Sequence, residues 1–219
     1  MDCNEIGSLI QKKADLNDIV TENTRKAFSI FEETAKNITS ELNKAFPNIN
    51  CRFENRGDFE FKLSFGTDTL VFLLHTNVFE FPRMHDVMKL PYIKEDIQRS
   101  YCGMVNIYNF LSDSFDYNRD LDMGYLIGRV FINKENHYFI EGKREVGLLY
   151  TSFHSSIISE ESICNIIKSS MEYANNFDLL TTPFDEVKVV TVSEIQSNLS
   201  TKKQITGKRL GFEFKQDKE

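Results

Sequence analysis

The stretch Met123–Phe153, MGYLIGRVFINKENHYFIEGKREVGLLYTSF, decides the fold, because it sets three apolar runs between polar breaks. Residues 125–132 are rich in β-branched and aromatic side chains and read as a strand. Asn133-Lys134-Glu135-Asn136 makes a turn, and a second strand starts at His137. Glu141-Gly142-Lys143-Arg144 has two readings. As a turn, it uses Gly142 for an unusual backbone angle and releases residues 145–153 into a third strand. As continuous strand, it places Glu141 and Lys143 on one face. The turn is favoured, since Gly weakens a strand interior and adjacent charges suit a solvated loop.

Upstream, apolar residues from Leu16 to Phe46 fall three and four apart, the signature of one face of a long helix. Asn17 or Asp18 is its expected cap, after a short turn at Leu9–Ile10, and Pro47 ends it. The spacing between Phe28 and Ala45 is that of a coiled-coil seam but too short to sustain one, so the helix is expected to lie across its own sheet. Strands follow, split at Asn55-Arg56-Gly57-Asp58 and Gly66-Thr67-Asp68. Phe59, Phe61, Leu63 and Phe65 alternate with Glu60, Lys62 and Ser64, predicting a strand with one wet face. Leu70–Leu74, apolar on both faces, reads as more central.

After a loop with Pro82 and Pro91, the spacing of Ile97, Tyr101, Met104, Tyr108, Leu111 and Phe115 predicts a helix over 95–115. The run Cys102–Tyr108 also fits a strand, because Gly103 is poor in a helix and Val105 and Ile107 prefer sheet. Ser159 caps a helix running to about Asn176, with Glu160 and Glu161 where the helix dipole favours acids. Thr182-Pro183 breaks the chain before a short strand at Val187–Val192. A capping box at Ser193 then starts a last helix toward Ile205, Gly207 stops it, and Leu210–Phe214 forms an edge strand.

This order predicts an α+β fold: a largely antiparallel sheet of meanders, a long N-terminal helix and further helices packed on one face. One domain is expected over 1–214, with a main α-βββ-α-βββ-α core over 16–177, a strand-helix-strand coda over 183–214 and a loose tail over 215–219. The 219 residues, 41% hydrophobic and 27% charged, suit one ordinary buried core, and the 19 Phe are expected to fill it. A net charge of −7 argues against a general grip on nucleic acid. Cys3, Cys51, Cys102 and Cys164 lack metal or redox spacing and read as thiols. With no long apolar run and an acidic start, neither a membrane span nor a signal peptide is expected, which places the protein in the cytoplasm.

Three groups of residues bear on chemistry. Glu141-x-Lys143 after the apolar Tyr138-Phe139-Ile140 resembles the end of the restriction-endonuclease-like core, where an acid and a lysine on one strand hold a divalent metal and an attacking water. That resemblance implies Mg²⁺ and an upstream acid, for which Asp122 or Asp120 is nearest, although both precede a strand; a turn or a same-face ion pair is the simpler account. Lys202, Lys203, Lys208 and Arg209 crowd TKKQITGKRLGF and are candidates for an anion or an acidic partner, or for complementing a helix dipole. His75, His85, His137 and His154 show no metal-ligand spacing, and His85-Asp86 reads as a surface pair. Nucleophile-elbow, Walker and dinucleotide motifs are absent from the sequence.

In element order over about residues 16–177 the chain is similar to bacterial type III secretion chaperones, which implies an acidic, cytoplasmic, partner-binding and often dimeric protein. The expected function is thus a non-catalytic, chaperone-like protein-binding or regulatory module, self-associating as a homodimer and without a cofactor. The alternatives are the metal-dependent nuclease using Glu141, Lys143 and Asp122, and a small-ligand sensor, which a buried polar group in a pocket would favour.

Overall fold

The computed structural model describes residues 2–120, 122–142, 152–177, 184–189, 191–193 and 195–196. Helix α1 (Cys3–Ala45) opens the chain, and its 43 residues make a rod of about 64 Å at 1.5 Å per residue. Asp2 caps it through a box with Glu5, fifteen or sixteen residues before the expected cap at Asn17 or Asp18. The reason is local: residues 3–15 contain no helix breaker except Gly7, so the box at Asp2 wins. Pro47 ends α1 as expected. Asn43 then holds the reversal, accepting from Cys51 N at 2.9 Å and donating to Cys51 O at 2.7 Å.

Seven strands form one antiparallel sheet: β1 (Arg52–Asn55), β2 (Glu60–Phe65), β3 (Asp68–Leu74), β4 (Phe79–Glu80), β5 (Tyr101–Leu111), β6 (Tyr125–Asn133) and β7 (Tyr138–Gly142). Their order is β1-β2-β3-β5-β6-β7, with β4 pairing the start of β5 beside β3. The β2–β3 hairpin turns on Gly66, whose φ of +53° favours glycine. The β6–β7 turn uses Asn136 at φ +60°. In β7 the chain stays extended through Gly142, so Glu141 lies on a strand; the expected third strand at 145–153 falls mostly outside the described residues.

The helix expected over 95–115 is a strand. A 3-10 turn at Ile97–Ser100 leads into the eleven residues of β5, and only the short helix α3 (Ser112–Asp116) is helical at its end. The apolar spacing misled because β5 is covered on both faces: Val105 and Ile107 point to the long helices while Cys102 and Met104 point the other way. The β-branched residues and Gly103 carried the correct signal. A Cβ at Gly103 would meet Thr24 Oγ1 of α1 at 2.0 Å, so glycine is what lets the helix lie directly on the sheet. The likeness in element order to secretion chaperones loses its middle helix here.

Two layers of packing result. On one face α1 and α4 (Glu160–Asn175, capped by Ser159) cover Phe61, Leu63, Leu70, Phe72, Ile107 and Val130. The α1 stripe of Phe28, Phe31, Ala35 and Ile38 is spent on this core, with Phe31 fully buried. On the opposite face the segment 79–100, including the five-residue α2 (Pro91–Glu95), covers one end of the sheet with Phe81, Tyr92 and Ile93, against Met104, Phe131 and Phe153.

Two further expectations change. Lys62, predicted on a wet face, is only 4% exposed. At the predicted strand Val187–Val192, residues Phe184–Val187 form a four-residue helix and no strand appears among the described residues. All four cysteines are free thiols. Among the described residues no helix is long and apolar enough to cross a membrane. Gly207, Leu210–Phe214 and the tail 215–219 lie outside the described residues.

Candidate functional site

The sheet face opposite α1 carries the chemistry. Strand register lines up Glu60, Leu73, Asn106, Arg129 and Glu141 in one row across it. Glu141 ends that row in an ion pair with Arg129, and its other oxygen lies 2.8 Å from His85 Nε2. The His85 tautomer follows from its second contact. Val87 N donates to Nδ1 at 3.2 Å, so Nδ1 is an acceptor and Nε2 carries the proton given to Glu141. The Arg129 contact brings charges together without hydrogen-bond alignment, because Glu141 Oε2 has no such partner. Glu141 therefore latches the 79–100 segment onto β7. The expected His85-Asp86 pair is not made, since Asp86 turns to Lys89 at 2.6 Å.

Asp122 stands elsewhere. It accepts from Ser114 Oγ at 2.7 Å and lines a cleft with Lys62, Arg119 and Asp120. Glu141 pairs with Arg129, and Asp122 precedes the first residue of β6, Tyr125. Those four residues of strand alone span about 13 Å. Among the described residues no group of three His, Cys, Asp or Glu is placed to hold a metal ion. Lys143, Lys202, Lys203, Lys208 and Arg209 lie outside the described residues.

Lys62 is the residue the sequence hid. It sits on β2 with its amine 3.5 Å from the centroid of the Phe115 ring on α3. Burial, and then the charge of Arg56, hold its pKa below the ordinary lysine value. Lys62 and Phe115 form a shared wall between two clefts. The first, about 390 Å³, is lined by Arg52, Phe53, Glu54, Ser64, Thr69, Ser112 and Asp116 besides. In it three hydroxyls form a chain, Ser64 Oγ to Thr69 Oγ1 at 2.8 Å and Thr69 Oγ1 to Ser112 Oγ at 3.0 Å. The second cleft, about 370 Å³, holds Asp120, Asp122 and Arg119. No spacing rule finds this site, because Phe115 and Ser112 come from fifty residues downstream of Lys62.

A third constellation clamps the 79–100 segment. Tyr92 donates to Glu135 at 2.9 Å and accepts from Asn133 Nδ2 at 2.9 Å, while Arg99 Nε donates to Glu135 at 3.0 Å. Burial pushes the Tyr92 phenol up to about 12. For Glu135, burial works upward, but the bonds from Arg99 and Tyr92 outweigh it and the carboxyl ends below its usual range. Asp96, bonded by Lys134, is also lowered. These groups are all engaged with one another, as a structural fastening requires.

No family model, no curated protein and no solved structure matches this chain. Among the described residues, the start of α1 is left uncovered. Residues 2–15 are all exposed, and the first buried residue of the helix is Leu16. Ile6, Leu9 and Ile10, at 43%, 54% and 65% exposure, continue the stripe that buries Leu16, Val20 and Ala27 further along. The stripe thus runs past the sheet for more than two turns with none of the described residues packed beneath it.

Proposed function

We propose that this chain is a non-catalytic protein-binding module of regulatory type that self-associates through the exposed start of α1. The observation that carries this reading is the overhanging stripe of Ile6, Leu9 and Ile10. A core stripe with no core under it is expected where another surface completes it. Charge favours a second copy as that surface. Two such segments running antiparallel, centred between Ser8 and Leu9, place Glu5 of each copy beside Lys12 of the other on the same flank. On the opposite flank Ile10 of each copy falls against Gly7 of the other, where a Cβ would meet nothing within 4 Å. Lys13, within the stripe, lays its aliphatic stem along the seam and keeps its amine in water.

Two short helices bury less than the roughly 1,200 Å² of a stable interface, so the dimer belongs to the weak, concentration-dependent class. Light scattering over a concentration series tests it. Wild type is expected to move from monomer toward dimer mass. Ile6→Glu with Ile10→Glu is expected to stay monomeric with unchanged circular dichroism, since both positions are exposed. A wild type that stays monomeric at every concentration overturns the reading. The nuclease alternative gains no support from Glu141, whose carboxylate is held by His85 and Arg129.

A further inference from the structure

Taking a cation out of water is costly unless an anion or a set of acceptors replaces its hydration. Lys62 is 4% exposed, and among the described residues no carboxylate stands within ion-pair distance of its amine. The Phe115 ring returns part of the lost hydration from one side only. The acids of the first cleft are already claimed by other cations: Asp116 by Arg52 at 3.2 Å, and Glu54 by Arg56 at 3.6 Å. Lys62 is then the cation of that cleft left without an ion-pair partner among the described residues, and the bonded hydroxyls of Ser64, Thr69 and Ser112 line the same cleft. Three hydroxyls joined by two bonds keep one proton free, and rotation about the C–O bonds can turn it toward an incoming acceptor without moving a heavy atom.

From this we infer that the cleft between β2 and α3 binds a small organic or inorganic oxyanion, a carboxylate or a phosphate, with its charged group on Lys62 and one oxygen accepting the free proton of the Ser64–Thr69–Ser112 hydroxyl chain. The volume of about 390 Å³ is that of a small-molecule site rather than of a peptide groove. Phe115 gives any attached carbon skeleton an apolar wall. The anion takes the Arg52 side because the Ser64, Thr69 and Ser112 hydroxyls line that cleft, whereas the hydroxyl of the other cleft, Ser114, already donates to Asp122. None of these residues belongs to the start of α1, so the outcome is independent of self-association.

The test is a titration of the full-length protein with inorganic phosphate, with succinate and with neutral succinamide, at matched ionic strength set with chloride. Amide chemical shifts and the melting temperature are followed together. Saturable shifts centred on Lys62, Thr69, Ser112 and Phe115, with a rise in melting temperature for phosphate or succinate and not for succinamide, are expected. Lys62→Met should weaken that binding at least tenfold, and Ser112→Ala a few-fold. Which anion binds more tightly identifies the source of the oxyanion. Shifts that do not saturate, shifts centred on other lysines, or equal binding by wild type and Lys62→Met overturn the assignment; if Lys62→Met does not fold, the location of the wild-type shifts and the Ser112→Ala affinity decide.

Discussion

Lys62 carries a cost that a purely structural lysine would not. Its amine gives up part of its hydration for one aromatic face, so replacing it with an apolar isostere should stabilise the ligand-free protein. Lys62→Met is expected to gain about 1 kcal/mol in urea denaturation, the order set by burying an incompletely compensated polar group. The sign with pH follows from the depressed pKa. A lysine whose folded pKa lies below its unfolded value of about 10.4 destabilises while charged, and that penalty fades as pH rises through the folded pKa toward the unfolded one. The burial of Lys62 is hidden in the pattern, because Glu60-Phe61-Lys62-Leu63 alternates as a half-wet strand should. What covers Lys62 is a phenylalanine of α3, just past a strand that itself reads as helix.

Tyr92 argues in the opposite direction. Its phenol, pushed up to about 12 by burial, contributes stability that is whole below the unfolded value of about 10 and lost as pH rises through about 12. Glu135 and Asp96 are lowered, so their contribution is present above their ordinary values and is lost as pH falls through the lower folded ones. The fastening of the 79–100 segment should therefore hold across neutral pH and fail at both extremes. Tyr92→Phe should cost about 1–2 kcal/mol at neutral pH and flatten the alkaline loss, measured as the denaturation midpoint against pH.

Between elements, the decisive contact is α1 on β5. Gly103→Ala would drive a methyl into Thr24, whose three side-chain atoms lie 2.0–2.8 Å from the new Cβ. The helix has to lift, at a cost of about 1–3 kcal/mol in a urea melt, and Thr24→Ala in the same chain should return part of it. This is also where sequence reading reached its limit. The long helix, the β2–β3 hairpin, the β6–β7 turn and the Ser159 cap were legible because each depends on nearby residues. Strand β5 was ambiguous because burial on both faces removes the period of two, leaving apolar residues that satisfy a helical spacing by coincidence. The latch of His85 on Glu141 joins residues 56 apart in sequence, and no local rule connects them.

At the scale of the whole molecule, one long helix serves two purposes. From Leu16 onward it roofs the sheet, and before Leu16 the same stripe extends into solvent. The sequence showed the stripe but not where the sheet beneath it ends, since that edge is set by β5, β6 and the turn at Asn133, to which Asn23 donates at 3.2 and 2.9 Å. The run from Phe28 lies across the sheet as its short heptad pattern predicts, with Phe28, Phe31, Ala35 and Ile38 buried in the core shared with α4, β2 and β3. Self-association, if it uses α1, has to use the start.

The register of that pairing is the most direct test. Cys3 is exposed on the flank of α1 that the antiparallel arrangement brings beside Ala14 of the other copy. Within one chain the two positions are about 16 Å apart along the helix, too far for an internal disulfide. Under mild oxidation Ala14→Cys should form a covalent dimer joining Cys3 to the introduced thiol, mapped by mass spectrometry, while wild type should not cross-link through Cys3. A wild-type Cys3–Cys3 dimer, or no covalent dimer from Ala14→Cys, would contradict the antiparallel self-association on which this account rests.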